Sequence, residues 1–166
     1  MPFTPLFSRW YEGVHVCVCD LRLAHQPRLA GIKHLNRLEN VLARREWQRD
    51  DIAEGLLADQ QDYVVEATGM NVFWQQGGAV WTPPLTQCGV AGTLREALLT
   101  QGHIAVASLP LGELHCVEQL WVGNSVQGIW PVVALVTPDG QVQTRWSRPT
   151  NDVLQAAGHR LLGFAS

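Results

Sequence analysis

AGIKHLNRLENVLARREW, residues 30–47, separates one dense apolar run before it from four short ones after it, and its reading decides the fold class. Leu35, Leu38 and Leu42 recur at intervals of three and four among good helix formers, which predicts a helix from Lys33 to about Gln48. A helix set between strands makes the chain mixed α/β. The same stretch holds the only lysine among twelve Lys and Arg residues. Arginine keeps its charge, whereas a lysine amine can lose its proton and attack a carbonyl, so Lys33 is the first candidate for chemistry.

Upstream, Val14 to Cys19 (VHVCVC) is β-branched and apolar with the density of a buried strand, and a loop punctuated by Pro27 and Gly31 follows. Downstream, GLLAD, DYVVEA, NVFWQQ and AVWTPP read as strands of an antiparallel meander, with Gln76-Gly77-Gly78 as a hairpin turn. CGVAG then opens a helix over TLREALLTQ, and HIAVASL returns as a strand. GELHCVEQ reads as a short helix, QLWVG as a strand and IWPVVALVT as a strand broken by Pro131. A last helix is expected from Asn151 to Gly163, with Asn151 as its N-cap. Residues 1–13 carry prolines and aromatics without a period, the pattern of a connector or of a segment that lies against something else.

With 46% hydrophobic and 16% charged residues, 166 residues can bury one ordinary domain core. A net charge of −3 without a basic cluster argues against nucleic acid or an anionic membrane as partner and favours a small molecule. Cys17, Cys19, Cys88 and Cys116 are too irregularly spaced for a disulfide framework and are expected as reduced core residues, the first two on one face of a strand. No basic start, long apolar run or small-residue cleavage site appears, so a soluble, cytoplasmic protein is expected.

Lys33 is either a solvated surface lysine or a Schiff-base lysine; its apolar flanks Ile32 and Leu35 favour a partly buried amine, the setting a carbonyl nucleophile needs. Glu66 ends an apolar strand, where a carboxylate needs a cationic partner. A nearby arginine would serve, and so would a pyridinium nitrogen, unless the side chain simply turns to water. Gly89-Val-Ala-Gly92 before Thr93, Leu94 and Arg95 lets backbone amides converge on a phosphate, and Gly123-Asn124-Ser125 offers an amide and a hydroxyl or merely a turn.

The order of these pieces resembles a known family. AGIKHLNRLENVLAR, EGLLAD, VVEATGMNVF, TPPL with CGVAGTLR, and VGNS with WPV together are similar to the class IV aminotransferase-fold pyridoxal-phosphate enzymes, whose fold is that of the D-amino acid aminotransferase-like proteins. GIKHLNRLE, CGVAG and the NS…GIWPV segment most resemble the aminodeoxychorismate lyase branch. The resemblance implies an antiparallel-rich, barrel-like core ringed by helices, with residues 14–166 as the cofactor-binding domain. It further implies pyridoxal 5'-phosphate held covalently by Lys33, its ring nitrogen bonded by Glu66, and its phosphate held by the amides of Thr93 and Leu94 with Ser125 and Asn124. Asn71 would shape a turn, and His34 and Asn36 match lyase positions without an assigned task. The activity implied is release of pyruvate and 4-aminobenzoate from 4-amino-4-deoxychorismate, in a homodimer. A D-amino acid or branched-chain aminotransferase and an inactive remnant or interaction module are the alternatives.

The family's N-terminal domain, which closes the cleft and adds a phosphate-binding arginine, has no counterpart among these residues. A fragment, a natural truncation and a half supplied by another chain are the three expectations, and the connector-like MPFTPLFSRWYEG favours the first two.

Overall fold

The computed structural model describes residues 5–164. Among them nine strands form one curled sheet: β1 Val14–Leu23, β2 Ile52–Asp59, β3 Val64–Ala67, β4 Asn71–Gln76, β5 Ala79–Thr82, β6 Ala105–Val106, β7 Gln119–Asn124, β8 Gly128–Val136 and β9 Val142–Arg145. Four α-helices flank it, α1 Phe7–Glu12, α2 Leu38–Ala43, α3 Thr93–Thr100 and α4 Val153–Leu161, with a 3-10 turn at Leu111–Cys116. The chain is mixed α/β, as its sequence predicts.

The strand order is β3-β2-β1-β8-β7-β4-β5-β6, with β9 on β8. β1 pairs in parallel with both β2 and β8, while β2·β3, β4·β5, β4·β7, β7·β8 and β8·β9 are antiparallel. The sheet is therefore antiparallel-rich. The meander expected over residues 55–84 is not continuous, because β3 and β4 follow one another in sequence yet stand at distant places in the strand order. A central strand covered on both faces reads as an unbroken apolar run. In β1, Val14 and Val16 pack into one cluster with Leu56, Val72 and Val132, and Cys17 and Cys19 pack into a second with Trp47 and Leu57. A third cluster joins Phe73 and Trp121 to Leu94 and Leu98 of α3 and Leu154 and Ala157 of α4. Each fully buried Leu, Ile or Phe contributes about 1.5–3 kcal/mol, so these clusters dominate the stability.

Five local expectations are corrected. The helix after Lys33 spans only Leu38–Ala43 rather than reaching Gln48, and it starts late because Gly31, at φ 77°, is tied across to the next loop: its amide donates to the Gly89 carbonyl at 2.9 Å and its carbonyl accepts from Ala91 at 3.1 Å. Leu35, Leu38 and Leu42 are exposed, and α2 buries Asn40 and Ala43 instead. Pro131 does not break β8, since it lies just past the last β1 pair, Val14 opposite Val132, where a missing amide costs no bond to β1. The cap of α4 is Asp152, whose side chain accepts from the Gln155 amide at 2.8 Å, not Asn151. Cys17, Cys19 and Cys88 are free and buried, but Cys116 is exposed. HIAVASL yields only the two-residue β6. Residues 1–4 of the expected connector lie outside the described residues; the rest forms α1, whose buried Trp10 donates from Nε1 to the Gln127 carbonyl at 2.7 Å. No helix among the described residues is long and apolar enough to cross a membrane.

Candidate active site

A cleft of about 800 Å³ opens where the segment before α2, the ends of β2 and β3, the loop before α3 and the β7–β8 turn meet. Lys33, Glu66, Thr93, Asn124 and Ser125 all line it. Leu94 does not: its side chain is buried in the α3–α4 cluster, and only its backbone stands at the first turn of α3.

Glu66 forms the floor. It is 2% exposed, at β3's next-to-last residue, with both carboxylate oxygens hydrogen-bonded. Oε1 accepts from Arg37 and from Asn40 Nδ2 at 3.1 Å, and Oε2 accepts from the Val90 amide at 2.8 Å. The arginine partner left open by the sequence is thus Arg37. Asn40 gains its place because α2 turns it inward, where Nδ2 also donates to the Thr68 carbonyl at 3.2 Å. Neither residue carries a sequence signal beyond its distance of four and seven positions from Lys33.

The loop before α3 is fitted to this floor by two glycines. A Cβ on Gly89, at φ 86°, would stand 2.7 Å from Val65 Cγ1, so only glycine lets the chain lie on β3 and deliver the Val90 amide to Glu66. A Cβ on Gly92 would stand 2.3 Å from Asn71 Oδ1. Asn71 is buried and clamps the loop from both sides, donating to the Val90 carbonyl at 2.8 Å and accepting from the Gly92 amide at 3.2 Å. It therefore shapes the loop before α3 rather than its own turn. The first turn bond of α3 runs from Glu96 N to Gly92 O, which leaves the amides of residues 93–95 without a partner one turn back and makes this end electropositive.

At the opposite wall Asn124 is committed to the backbone: Nδ2 donates to the Gly69 carbonyl at 3.0 Å, and Oδ1 accepts from the Val126 and Gln127 amides at 2.9 and 2.7 Å. It builds the turn that presents the exposed Ser125 to the cleft. Lys33 lies on the rim and is exposed; its flanks Ile32 and Leu35 are exposed too, so the expected partial burial of the amine is absent. The physical reason is the Gly31 bridge, which holds this segment across the cleft mouth instead of in a packed helix.

Two more features of the cleft are Glu54, absent from the sequence reading, and His34, named there without a task. Glu54, on β2, lines it and accepts from the Thr68 hydroxyl at 2.5 Å; burial pushes its carboxyl above the usual range, with Thr68 and Arg44 pulling the other way. His34 also lines it, and its Nδ1 is buried without a hydrogen-bond partner.

The family model of amino-transferase class IV matches residues 1–135. The chain belongs to the class IV aminotransferases. Among relatives of this class IV chain, an aminodeoxychorismate lyase of Vibrio harveyi is 37% identical over 146 residues, 84% of this chain and 54% of that protein. The crystal structure of 4-amino-4-deoxychorismate lyase from Pseudomonas aeruginosa matches with a TM-score of 0.84 at 38% identity, covering 98% of this chain and 60% of that one. A branched-chain-amino-acid aminotransferase of Escherichia coli is 33% identical over 102 residues, 58% of this chain and 33% of that protein. The chain spans about half the length of the curated relatives it matches.

Proposed function

We propose that this chain is the cofactor-binding portion of a pyridoxal-phosphate lyase that converts 4-amino-4-deoxychorismate to 4-aminobenzoate and pyruvate, a step of folate biosynthesis in the cytoplasm. The observation that carries the reading is the buried Glu66 carboxylate beneath a cleft that also holds Lys33 and the first turn of α3, in a class IV chain similar to named lyases.

The donor set fits the cofactor. Glu66 already takes a cation, Arg37, on Oε1, and its Oε2, which accepts only from the Val90 amide, keeps a lone pair for a protonated ring nitrogen. Glu66 would hold the ring nitrogen, Lys33 the aldehyde carbon, and the amides of Thr93 and Leu94 with the Ser125 hydroxyl the phosphate. Asn124 would act only by fixing the turn under Ser125. Bound there, pyridoxal phosphate supplies an electron sink that makes a carbon-bound proton of the substrate removable.

Lys33 then has two tasks. Its Nζ, on the lysine that lines the cleft, would take the proton from the amine-bearing ring carbon of the substrate. Loss of the enolpyruvyl group as pyruvate leaves an aromatic ring, which drives the elimination. The Asn71 clamp keeps the α3 amides aimed at the anion throughout. The row of exposed apolar residues Ile32, Leu35, Leu38, Val41 and Leu42 supports a covered surface, and we read it as part of a homodimer.

The decisive experiment adds pyridoxal phosphate to the purified chain, reduces with borohydride and maps the label by mass spectrometry. Label on Lys33 is expected; a folded chain that takes none turns the reading towards an interaction module. The E. coli relative favours a second reading, amino transfer, because the same lysine-mediated proton removal opens both reactions. Keto-acid-dependent amino transfer without pyruvate release from 4-amino-4-deoxychorismate would select it.

A further inference from the structure

Outside the cleft, His25, Asp59 and Cys88 place a ring nitrogen, a carboxylate oxygen and a thiol sulfur within 4.8 Å of one another. None of the three lines the cleft. They come from three separate segments: the loop after β1, the end of β2 and the loop before α3. We propose that they form a binding site for one divalent transition-metal ion, zinc by preference.

Asp59 and His25 are held before any ion arrives, and the backbone beside Cys88 is fixed. Asp59 Oδ1 accepts from the Gln61 and Tyr63 amides at 2.9 and 3.0 Å, which turns Oδ2 towards His25, and His25 Nε2 stands 2.8 Å from that oxygen. The Gln26 amide donates to the Gln87 carbonyl at 2.7 Å, so the residues next to His25 and Cys88 are pinned to each other. Outer hydrogen bonds of this kind orient ligands and raise affinity.

The donor set selects the ion. A thiolate beside an imidazole is a soft, borderline pair that suits zinc or cobalt and repels the hard cations magnesium and calcium, which take oxygen ligands. Ligand bonds of about 2.0–2.3 Å require the three atoms to stand roughly 3.3–3.7 Å apart, within reach of side-chain rotation from the observed spacing. As the metal–sulfur bond forms the thiol proton leaves to solvent, and the metal takes the place of the His25–Asp59 hydrogen bond. Asp59 and Cys88 are buried and His25 is partly open, so the fourth position faces water on the His25 side. Cys88 lies two residues before Val90, so an ion here would fix the start of the loop that reaches Glu66.

Cobalt(II) is the probe, added to the full chain carrying Cys116→Ser, since the exposed Cys116 thiol lies 3.2 Å from His115 Nε2 and could bind it independently. One equivalent should bind with a thiolate-to-cobalt charge-transfer band in the near ultraviolet, displaced by one equivalent of zinc. Cys88→Ser should remove the band, and His25→Ala should weaken binding about tenfold or more. Absence of the band, its survival in Cys88→Ser, or unchanged affinity in His25→Ala would overturn the site. If Cys88→Ser does not fold, His25→Ala decides, because that side chain is only partly buried.

Discussion

The rim around Lys33 and the corner around His159 are both rich in large apolar side chains, and the fold treats them oppositely. At the corner, Trp10 stacks at 4.0 Å from the His159 ring and 5.0 Å from Phe164, and Gln155 Nε2 ties the Trp10 and Ile129 carbonyls at 3.1 and 2.9 Å. His159 Nε2 accepts from the Ile129 amide at 3.0 Å. On the rim, Leu35 is 103% exposed, and Lys33 is exposed beside it. Polar atoms at the corner are spent on stability. Those on the rim are left available, which is what a reacting group needs.

That contrast is open to direct attack. The largest effect is expected from Lys33→Ala, which should abolish borohydride-fixed cofactor label and lyase turnover while leaving the urea midpoint unchanged, because the side chain is exposed. A label that persists elsewhere in the chain would end the assignment.

The corner should respond to acid instead. Burial pushes His159 down to about 4. An unfolded histidine titrates near 6.5, so between the two values the unfolded chain binds more protons and stability rises with pH, by about 3 kcal/mol across the window. That contribution is complete above roughly pH 6.5 and is lost as the pH falls towards about 4. His159→Gln should flatten this part of the urea-midpoint profile; an unchanged slope would mean the ring is charged in the folded state.

Between rim and corner, Gly92→Ala forces a methyl onto Asn71 Oδ1 and should cost about 2 kcal/mol by denaturant titration. Combined with Asn71→Ala, the loss should be smaller than the sum of the two, since the clash and the clamp share one atom. Additive losses would show that the loop does not depend on that contact. The smallest change is expected from Leu35→Ser, within about 0.5 kcal/mol of the parent stability. Sedimentation should nevertheless show weaker self-association if the rim covers itself with a second copy.

Much of this was legible in the residues. Strand β1, the β4–β5 hairpin and helix α3 follow from apolar density, Gln76-Gly77-Gly78 and the glycine-to-threonine start, all local signals. Lys33 and Glu66, which both line the cleft, stand out by their chemistry, one as a solitary amine and the other as a carboxylate on an apolar strand. What failed was the helix at 33–37, because a bridge to residues 89–91, far along the chain, overrides local propensity, and at 44–48, where the chain turns towards β2. Arg37 and Asn40 were missed for the same reason: their partner Glu66 lies more than twenty positions away. The discontinuous meander failed because β-pairing order is a property of the whole sheet and not of adjacent segments.

The parallel pairing of β1 with β8 has a consequence for how the chain is made. Residues 14–17 cannot meet their partners at 132–136 until more than a hundred intervening residues have left the ribosome. At roughly 5–20 residues per second that is a wait on the order of ten seconds, with VHVCVC uncovered on one edge throughout. Synthesis therefore leaves one edge of β1 unpaired until β8 has emerged.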